Sequence, residues 1–212
     1  MHDIHSHIEG KSHVIWDWNG TLLADIDHAV ATVNQLLVEE GLPPTTVDQY
    51  KKMFGFPVID YYRKLGFQVS MERFKEISER FQQIFHDGLD QCELWPGVRD
   101  VLSEIKKSGR RQSVLSASEH NLLQWSLKKF DVFHLFDHVM GIADKMATSK
   151  VEFGHKLMDL AKIPAEQTVL IGDTDHDLEV AKALGIDMIL VEHGHQCPTR
   201  LRDIHHTVVK VI

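Results

Sequence analysis

The stretch that decides the fold of this chain reads Val14-Ile15-Trp16-Asp17-Trp18-Asn19-Gly20-Thr21. Its apolar start predicts a buried strand of a parallel sheet. A carboxylate at the end of such a strand, followed by Gly-Thr, is how a phosphoryl-transfer enzyme presents an aspartate nucleophile to a phosphate held on backbone amides. Asp17 is therefore the candidate nucleophile. Asn19 raises a question, because an amide cannot carry a proton to or from a reacting oxygen.

Composition sets the outer bounds on this chain. Its 212 residues are 43% hydrophobic, enough to bury the core of one domain of ordinary size plus a small insert. The formal charge of -8 argues against binding to a phosphate backbone, because nucleic-acid binders need a basic surface to displace counterions. We expect neither a nucleic acid nor an anionic membrane as a partner.

The sequence also predicts a cytoplasmic location. No apolar stretch approaches the length that spans a bilayer, and the N-terminus lacks the apolar centre of a signal peptide. Only Cys92 and Cys197 are present, far apart in sequence, which fits a reducing compartment and gives no disulfide framework.

Periodicity predicts an α/β fold with a parallel sheet. Short apolar runs that read as buried strands are separated by longer segments with helical spacing. These runs are Val14-Ile15-Trp16, Val114-Leu115, Val139-Met140, Val169-Leu170-Ile171 and Met188-Ile189-Leu190-Val191. Ser149-Lys150-Val151-Glu152 has the form of a capping box and predicts a helix that runs to about Lys162.

A block of helical patterns interrupts this alternation. Residues 25–93 hold two amphipathic helical segments, at about 26–37 and 71–84, with helix-compatible sequence between them and no strand signal. Such a block between the first two strands predicts a cap over the carboxyl ends of the strands, where α/β folds bind ligands. We therefore expect a Rossmann-like core of residues 1–24 and 94–212 and a helical cap of residues 25–93.

Candidate chemistry stands at four predicted strand or helix ends. Asp17 follows the first strand, Ser116 and Ala117 close the second, Lys150 opens a helix, and Gly172-Asp173-Thr174-Asp175-His176-Asp177 follows the strand 169–171. A hydroxyl and an ammonium suit a phosphate, and the carboxylates suit a hard divalent cation. Each feature alone also fits a turn, a helix cap or a solvated charge. Their order on one sheet edge favours the functional interpretation.

At these residues the sequence resembles the haloacid dehalogenase superfamily. Asp-x-Asp-Gly-Thr, a strand-end Ser or Thr, a Lys and Gly-Asp-x-x-x-Asp are its four motifs, and Asn19 stands where the first motif repeats its aspartate. Within the superfamily the chain looks most like the phosphoglycolate phosphatase and β-phosphoglucomutase branch, which carries a helical cap after the first motif. The resemblance implies Mg²⁺, a Rossmann-like core and a phosphoaspartyl intermediate.

The resemblance also implies roles for the individual residues. Asp17 attacks phosphorus, and Asp17, the backbone carbonyl of Asn19 and Asp173 hold Mg²⁺. Asp177 completes the acidic metal site, by orienting Asp173 or a metal-bound water. The phosphate oxygens would be held by Gly20, Thr21, Ser116, Ala117 and Lys150.

Several readings of the function remain at this point. The leading one is a Mg²⁺-dependent phosphatase of small phosphorylated metabolites, as a monomer or homodimer. A phosphosugar mutase is disfavoured because a mutase must shuttle protons through the residue that is Asn19 here. A non-catalytic phosphate-binding or regulatory protein is the third.

Further residues are expected near the site. Residues 54–57 and Arg63 are candidates for facing the substrate, and His28 and His193 are the histidines expected nearby. His28, Asp25 or Asp27 could replace the missing acid.

Overall fold

The computed structural model describes residues 4–142 and 150–210, and its centre is a parallel sheet. The strands are β1 (His13–Trp16), β2 (Leu23–Ala24), β3 (Glu93–Leu94), β4 (Arg111–Glu119), β5 (His138–Ile142), β6 (Thr168–Gly172), β7 (Asp187–Val191) and β8 (Val208–Val209). Six of them form one sheet in the order β5-β4-β1-β6-β7-β8, and all its neighbouring strands are parallel. The predicted α/β fold with a Rossmann-like parallel sheet is confirmed.

Helices cover both faces of this sheet. In chain order they are α1 (Ile4–His7), α2 (Ile26–Glu39), α3 (Val47–Met53), α4 (Val58–Lys64), α5 (Met71–Gly88), α6 (Val98–Lys107), α7 (His120–Lys129), α8 (Lys150–Ala161), α9 (Asp175–Leu184) and α10 (Pro198–Ile204). Apolar residues of α6 and α7 belong to one core cluster, and those of α8 and α9 to a second. Ser149, the predicted cap of α8, lies outside the described residues. None of the described helices has the length and apolar character needed to cross a bilayer.

The central strand explains why the first apolar run is so hydrophobic. Val14 and Trp16 pack into the cluster beneath α6 and α7, whereas Ile15 packs into the cluster beneath α8 and α9. All three side chains are fully buried, as expected for a strand covered on both faces. The one polar atom of this trio, Trp16 Nε1, donates a hydrogen bond to Gln112 Oε1 at 3.1 Å. β1 is therefore held on both sides before it reaches Asp17.

The helices α2 to α5, named here the helical insert, form a third apolar cluster of their own. Thr46 caps α3 with a capping box, and the Ser70 side chain caps α5. At the base of the insert, β2 and β3 pair antiparallel, so its entry and exit segments lie side by side. These strands could not be predicted from the sequence, because two residues are too few for a periodic pattern.

The topology indicates where a ligand would bind. β4 and β5 lie on one side of β1, and β6, β7 and β8 on the other, so the strand order reverses beside β1. In open α/β sheets, ligands bind outside the carboxyl ends of the strands at such a reversal. Asp17 directly follows β1 at that edge, and its backbone N–H donates to the carbonyl of Ile171 at the end of β6 (2.9 Å).

At the other end of β1, a buried histidine makes folding sensitive to acid. His13 is fully buried; its Nε2 is hydrogen-bonded to Ser113 Oγ at 2.8 Å and its Nδ1 has no partner. Burial, with a smaller effect of the Arg111 charge, lowers the pKa of His13 from 6.5 to about 4. The unfolded chain therefore binds a proton on this residue at a pH where the folded chain does not.

We expect His13→Gln to reduce the acid sensitivity of folding. Because the folded pKa is depressed, His13 has no effect above pH 6.5 and costs about 2 kcal/mol of stability by pH 5. The free energy of unfolding in urea should therefore fall by about 2 kcal/mol less in the variant than in the native chain between pH 7.5 and pH 5. His7→Gln, on an exposed position of α1, is the control. An identical fall in native and His13→Gln proteins would contradict the prediction.

Candidate active site

Three buried aspartates meet at the carboxyl ends of β1 and β6. Asp17, Asp173 and Asp177 each offer one carboxylate oxygen, and these oxygens all lie within 4.8 Å of one another. Burial raises the pKa of Asp17 to about 8, against the opposing effect of the Lys150 charge. Burial also raises the pKa of Asp173. The protein thus holds a concentration of negative charge away from water, which is unfavourable without a compensating cation.

Lys150, the first residue of α8, supplies part of that compensation. Its Nζ donates to Asp17 Oδ1 and to Asp177 Oδ1, both at 2.5 Å. Burial alone would lower the pKa of Lys150, but the two carboxylates outweigh it and raise the pKa. The same ammonium lowers the pKa of Asp177 despite burial. The sequence prediction that Lys150 adds positive charge at this edge matches its position.

The second half of the acidic cluster is fixed by the start of α9. Thr174 is the N-cap of this helix and forms a capping box with Asp177. Asp177 Oδ2 accepts hydrogen bonds from the backbone N–H of Thr174 (3.0 Å) and from its hydroxyl (2.7 Å). The capping role and the site role of Asp177 therefore coexist, since one oxygen serves the helix and the other faces Lys150.

Asp173 is held from two sides. The Thr21 hydroxyl donates to Asp173 Oδ1 at 2.8 Å, and the backbone N–H of His195 donates to Asp173 Oδ2 at 2.6 Å. At Gly20, with φ of 72°, and at Gly194, an added Cβ would collide with the Asp173 carboxylate. Both glycines are thus required by the close approach of two loops to one carboxylate.

Asn19 is built into a different network. Its Nδ2 donates to Asp25 Oδ2 at 2.8 Å, and its Oδ1 accepts from Ser118 Oγ at 2.6 Å. Asp25 Oδ1 accepts from the backbone N–H of Gly20 at 2.7 Å. An ionised aspartate at position 19 would place a carboxylate oxygen against the Asp25 carboxylate. The asparagine amide avoids this repulsion, because its NH₂ group donates to Asp25 while both residues keep their ordinary protonation states.

His195 is the functional candidate that the sequence analysis missed. It follows β7, is buried, and places Nε2 3.2 Å from Asp25 Oδ1. Burial opposes its protonation, but the Asp25 carboxylate prevails and raises the pKa of His195 to about 9. The other ring nitrogen, Nδ1, is hydrogen-bonded to the hydroxyl of Tyr50, on α3, at 2.9 Å. His195 therefore joins the loop after β7 to both the first residue before α2 and the helical insert.

The two histidines expected near the site bond backbone carbonyls, and neither lines the cavity between the acidic cluster and the insert. His28 Nε2 is hydrogen-bonded to the Phe85 carbonyl at 2.7 Å within the insert. His193 Nε2 is hydrogen-bonded to the Thr21 carbonyl at 3.0 Å, and its ring packs on Trp95. Both support neighbouring backbone. The signal that could have found His195 is its place on the loop after β7, at the same sheet edge as Asp17.

A cavity of about 350 Å³ lies between these residues and the helical insert. Of the residues predicted from the sequence, its lining includes Asp17, Asn19, Ser116, Ala117, Lys150 and Asp177. Gly20, Thr21 and Asp173 lie behind that lining, with Thr21 and Asp173 fully buried. The roles given to all these residues stay predictions.

The insert lines the cavity mainly with aromatic side chains. Phe54 and Phe56, which the sequence analysis named as candidates to face the substrate, are among them. The expectation for Arg63 is wrong, because its guanidinium pairs with Asp60 at 2.7 Å on the outer surface of α4. A helix of seven residues has too few turns for the sequence to reveal which face turns inward.

The donor set at the cluster fits a hard divalent cation. Carboxylate oxygens are the ligands that Mg²⁺ and Ca²⁺ take, and three converge here. One ammonium against three carboxylates leaves two negative charges without a partner when all are ionised. A divalent cation would also favour the ionised form of Asp17, whose pKa burial raises to about 8. The residues present thus suit a metal, which agrees with the coarse prediction of a metal site.

Comparison with known proteins places this geometry in a family. Residues 14–191 match the model of the haloacid dehalogenase-like hydrolase family, which is most of the chain. The chain belongs to this family. The superfamily predicted from the four motifs is therefore confirmed, and the family match spans the carboxylate cluster, Lys150 and most of the cavity lining.

Individual relatives agree with this assignment. A phosphoglycolate phosphatase of Aliivibrio fischeri is 24% identical, over 92% of this chain and 90% of that protein. The tyrosine-protein kinase PtkA of Mycobacterium tuberculosis is 27% identical, over 88% of this chain and 64% of its own. A haloacid dehalogenase-like hydrolase from Streptococcus pneumoniae shares the fold, with a TM-score of 0.79, 20% identity and coverage of 94% and 93% of the two chains. The predicted enzyme class, a phosphoric monoester hydrolase similar to phosphoglycolate phosphatases, is confirmed by these matches.

Removing the Lys150 ammonium should destabilise this hydrolase strongly. In Lys150→Met, Asp17 and Asp177 remain buried together without the cation that pairs with both. Breaking a buried ion pair in this way costs roughly 3–5 kcal/mol, and we expect that loss in the free energy of unfolding measured in urea.

The matched control is Lys156→Met, the same substitution on the same helix. Lys156 pairs with Glu152 at 3.5 Å on the exposed face, where an ion pair contributes less than about 1 kcal/mol. Equal losses in the free energy of unfolding for the two substitutions would show that the buried ion pairs of Lys150 contribute no more to stability than an exposed pair.

Proposed function

We propose that this protein is a Mg²⁺-dependent phosphatase of small phosphorylated compounds that works through a phosphoaspartyl intermediate on Asp17. The observation that carries the proposal is the buried Asp17 carboxylate, which lines the cavity at the end of β1 and is paired with Lys150. A nucleophile needs a fixed position and an ionised form. The strand fixes the position, and the nearby positive charge favours ionisation.

The first half of the reaction uses Asp17 as a nucleophile. One of its oxygens attacks phosphorus, and the bond to the leaving oxygen breaks with its electron pair on that oxygen. The leaving group departs as an alkoxide or phenolate and takes its proton from solvent. Lys150 and Ser116 would hold phosphate oxygens and their developing charge, and their place in the cavity lining supports this assignment. In our proposal the backbone around Gly20, Thr21 and Ala117 contributes further donors. Water then hydrolyses the acyl phosphate in the second half.

Asp17, Asp173 and the backbone carbonyl of Asn19 would hold Mg²⁺, with Asp177 as a supporting group. When bound, the ion would offset the repulsion between the incoming phosphate and the buried carboxylates. The support for this assignment is the set of converging carboxylate oxygens, which suits a hard cation.

The helical insert would act as the cap of the active site, with residues 25–93 as the cap and residues 1–24 and 94–212 as the core. Tyr50 reaches His195, and the backbone carbonyl of Lys51 accepts from the N–H of Cys197 at 3.0 Å. These contacts tie α3 to the loop after β7. A cap docked in this way would exclude water while the phosphoryl group is transferred.

Hydrolysis is favoured over the other two readings by particular observations. The match to this chain covers 90% of the phosphoglycolate phosphatase but only 64% of the tyrosine-protein kinase. A mutase would need proton transfer at position 19, where the side chain is an amide held by Asp25 and Ser118. We further propose a cytoplasmic location, action as a monomer or homodimer, and small-molecule substrates without nucleic-acid or membrane partners.

The first functional test is Asp17→Asn. We expect turnover of 4-nitrophenyl phosphate with Mg²⁺ to fall by at least about 10³-fold, because no nucleophile remains. The folded structure should survive, since the substitution removes one of three crowded negative charges. Asp159→Asn, exposed on α8, is the surface control. Full activity of Asp17→Asn, or full activity of the native enzyme in excess chelator, would contradict the proposal.

The second test concerns Asn19. We expect Asn19→Asp to raise the turnover of alkyl phosphates by at least about tenfold, because a general acid is typically worth 10²- to 10⁴-fold and an alkoxide needs a proton to leave. The new carboxyl group would face Asp25 at the place where Nδ2 now donates, which favours its protonated form. Acetyl phosphate, whose leaving group needs no proton, should show little change.

The control is Asn121→Asp, the same substitution at an exposed position near the start of α7, and it should leave alkyl phosphate turnover at the native level. Steady-state rates should be measured on protein checked by mass spectrometry, since an Asn-Gly pair can deamidate and supply traces of the variant. Unchanged or lower alkyl phosphate turnover in Asn19→Asp would show that the amide is no catalytic handicap.

A further inference from the structure

The wall of the cavity opposite Asp17 is aromatic. Six side chains from the insert make up this aromatic wall: Phe54, Tyr61, Tyr62, Phe74, Phe81 and Phe85. Phe81 and Phe85 are stacked with ring centroids 5.6 Å apart, and Phe54 meets Tyr61 edge to face at 5.4 Å. Flat apolar faces arranged in this way suit a ring or a hydrocarbon better than a polar chain.

The cations of the insert do not reach this wall. Its three arginines pair with carboxylates outside the cavity lining: Arg63 with Asp60, Arg73 with Glu76 and Arg80 with Glu39, at 2.6–2.7 Å. Among the described residues, no side chain of α2 to α5 that lines the cavity carries a charge. A second anionic group on a substrate would therefore find no cation on these helices. It would meet only neutral groups such as Ser78, Gln82 and the Tyr61 hydroxyl, and burying a charge without a counter-charge is costly.

The acidic and basic side chains that line the cavity are already engaged: Glu119 caps α7, His176 contacts Glu179 at 3.2 Å, and the others lie at the floor beside Asp17. Lys150 is shared by Asp17 and Asp177, and His195 lies against Asp25. A carboxylate near the insert would meet the negative potential of this floor rather than a free cation. The negative charge of the floor and the uncharged aromatic wall thus both disfavour substrates that carry a second anionic group.

Asn19 adds an independent constraint on the leaving group. The side chain that lines the cavity beside Asp17 is an amide that cannot give up a proton. A phenolate is a far weaker base than an alkoxide and departs with little protonation. An aromatic leaving group therefore satisfies both the shape of the wall and the chemistry of position 19.

We infer that the substrates of this site are phosphate monoesters of uncharged phenols or similar aromatic hydroxyl compounds. This inference rests on the proposed phosphatase function and specifies its leaving group. In the first step Asp17 forms a bond to phosphorus, and the phosphorus–oxygen bond to the ring breaks with its electron pair on the phenolate oxygen. The phenolate takes a proton from solvent after release, and water cleaves the phosphoaspartate to inorganic phosphate.

The test compares esters that differ in one group. 4-Methylphenyl phosphate and 4-carboxyphenyl phosphate are similar in shape, and only the second carries an extra negative charge. The carboxylated phenolate is the slightly better leaving group, so leaving ability does not favour the methyl ester. We expect kcat/KM with Mg²⁺ to be at least about tenfold higher for the methyl ester, since an unpaired buried charge is disfavoured by more than one factor of ten. Phosphoglycolate, aliphatic and carboxylated, should be a poorer substrate than either.

A charge placed in the wall should reverse this preference. Gln82 on α5 lines the cavity and its neighbour Gln83 is exposed outside it. Gln82→Arg should raise kcat/KM for 4-carboxyphenyl phosphate by about tenfold and lower it for the methyl ester, through a charge-assisted pair. Gln83→Arg adds the same charge to the same helix and should leave the ratio of the two values at the native level.

The outcomes separate this inference from the proposed function. Asp17-dependent turnover with an equal or reversed native preference would overturn the inference and leave the phosphatase proposal standing. Absence of Asp17-dependent turnover, including that of acetyl phosphate, would overturn the phosphatase proposal and with it the inference. Calorimetric binding of both esters to Asp17→Asn gives a readout without turnover, and tighter binding of the carboxylated ester would also refute the inference.

Discussion

The ammonium of Lys150 between Asp17 and Asp177 is the contact on which the rest of the site depends. It joins the end of β1, the start of α8 and the start of α9, three elements that meet only because the sheet is parallel. Replacing such a pair by apolar residues could make a more stable protein, so stability does not explain its presence. We propose a functional reason for the pair, because it keeps a carboxylate fixed, buried and close to positive charge, as a nucleophile requires.

A second buried pair determines how the helical insert meets the core. His195 contacts Asp25 through one ring nitrogen and Tyr50 through the other, so one imidazole spans the loop after β7, the entry to α2, and α3. Asn19 belongs to this arrangement, because its amide donates to the same Asp25 carboxylate. Asn19, which departs from the motif, thus fits its surroundings. An aspartate at position 19 would supply a proton donor, but its protonation would be coupled to that of the Asp25 carboxylate beside it.

The sequence was informative where one physical rule acts over many residues. Burial on both faces makes β1 and β6 continuous apolar runs, and a strand-end aspartate such as Asp17 then falls at a known edge of the sheet. The sequence was silent where the rule is local or three-dimensional. β2 and β3 are too short for periodicity, and the contacts of His195 with the distant Asp25 and Tyr50 do not follow from its place on the loop after β7. The motif spacing therefore identified the floor of the site but not its second buried pair.

The same distinction applies to the cavity as a whole. Its floor consists of polar residues whose chemistry requires particular residue types at strand ends, so that chemistry can be read from spacing. Its roof consists of aromatic residues that could equally fill the core of the insert, and Phe81 has the same helical pattern whether it faces the core or a ligand. Only the packing distinguishes the two, by leaving Phe74, Phe81 and Phe85 half-buried above Asp17. In our proposal the reaction type follows from the order of motifs along the chain, whereas the choice of leaving group depends on which helix faces turn toward the sheet.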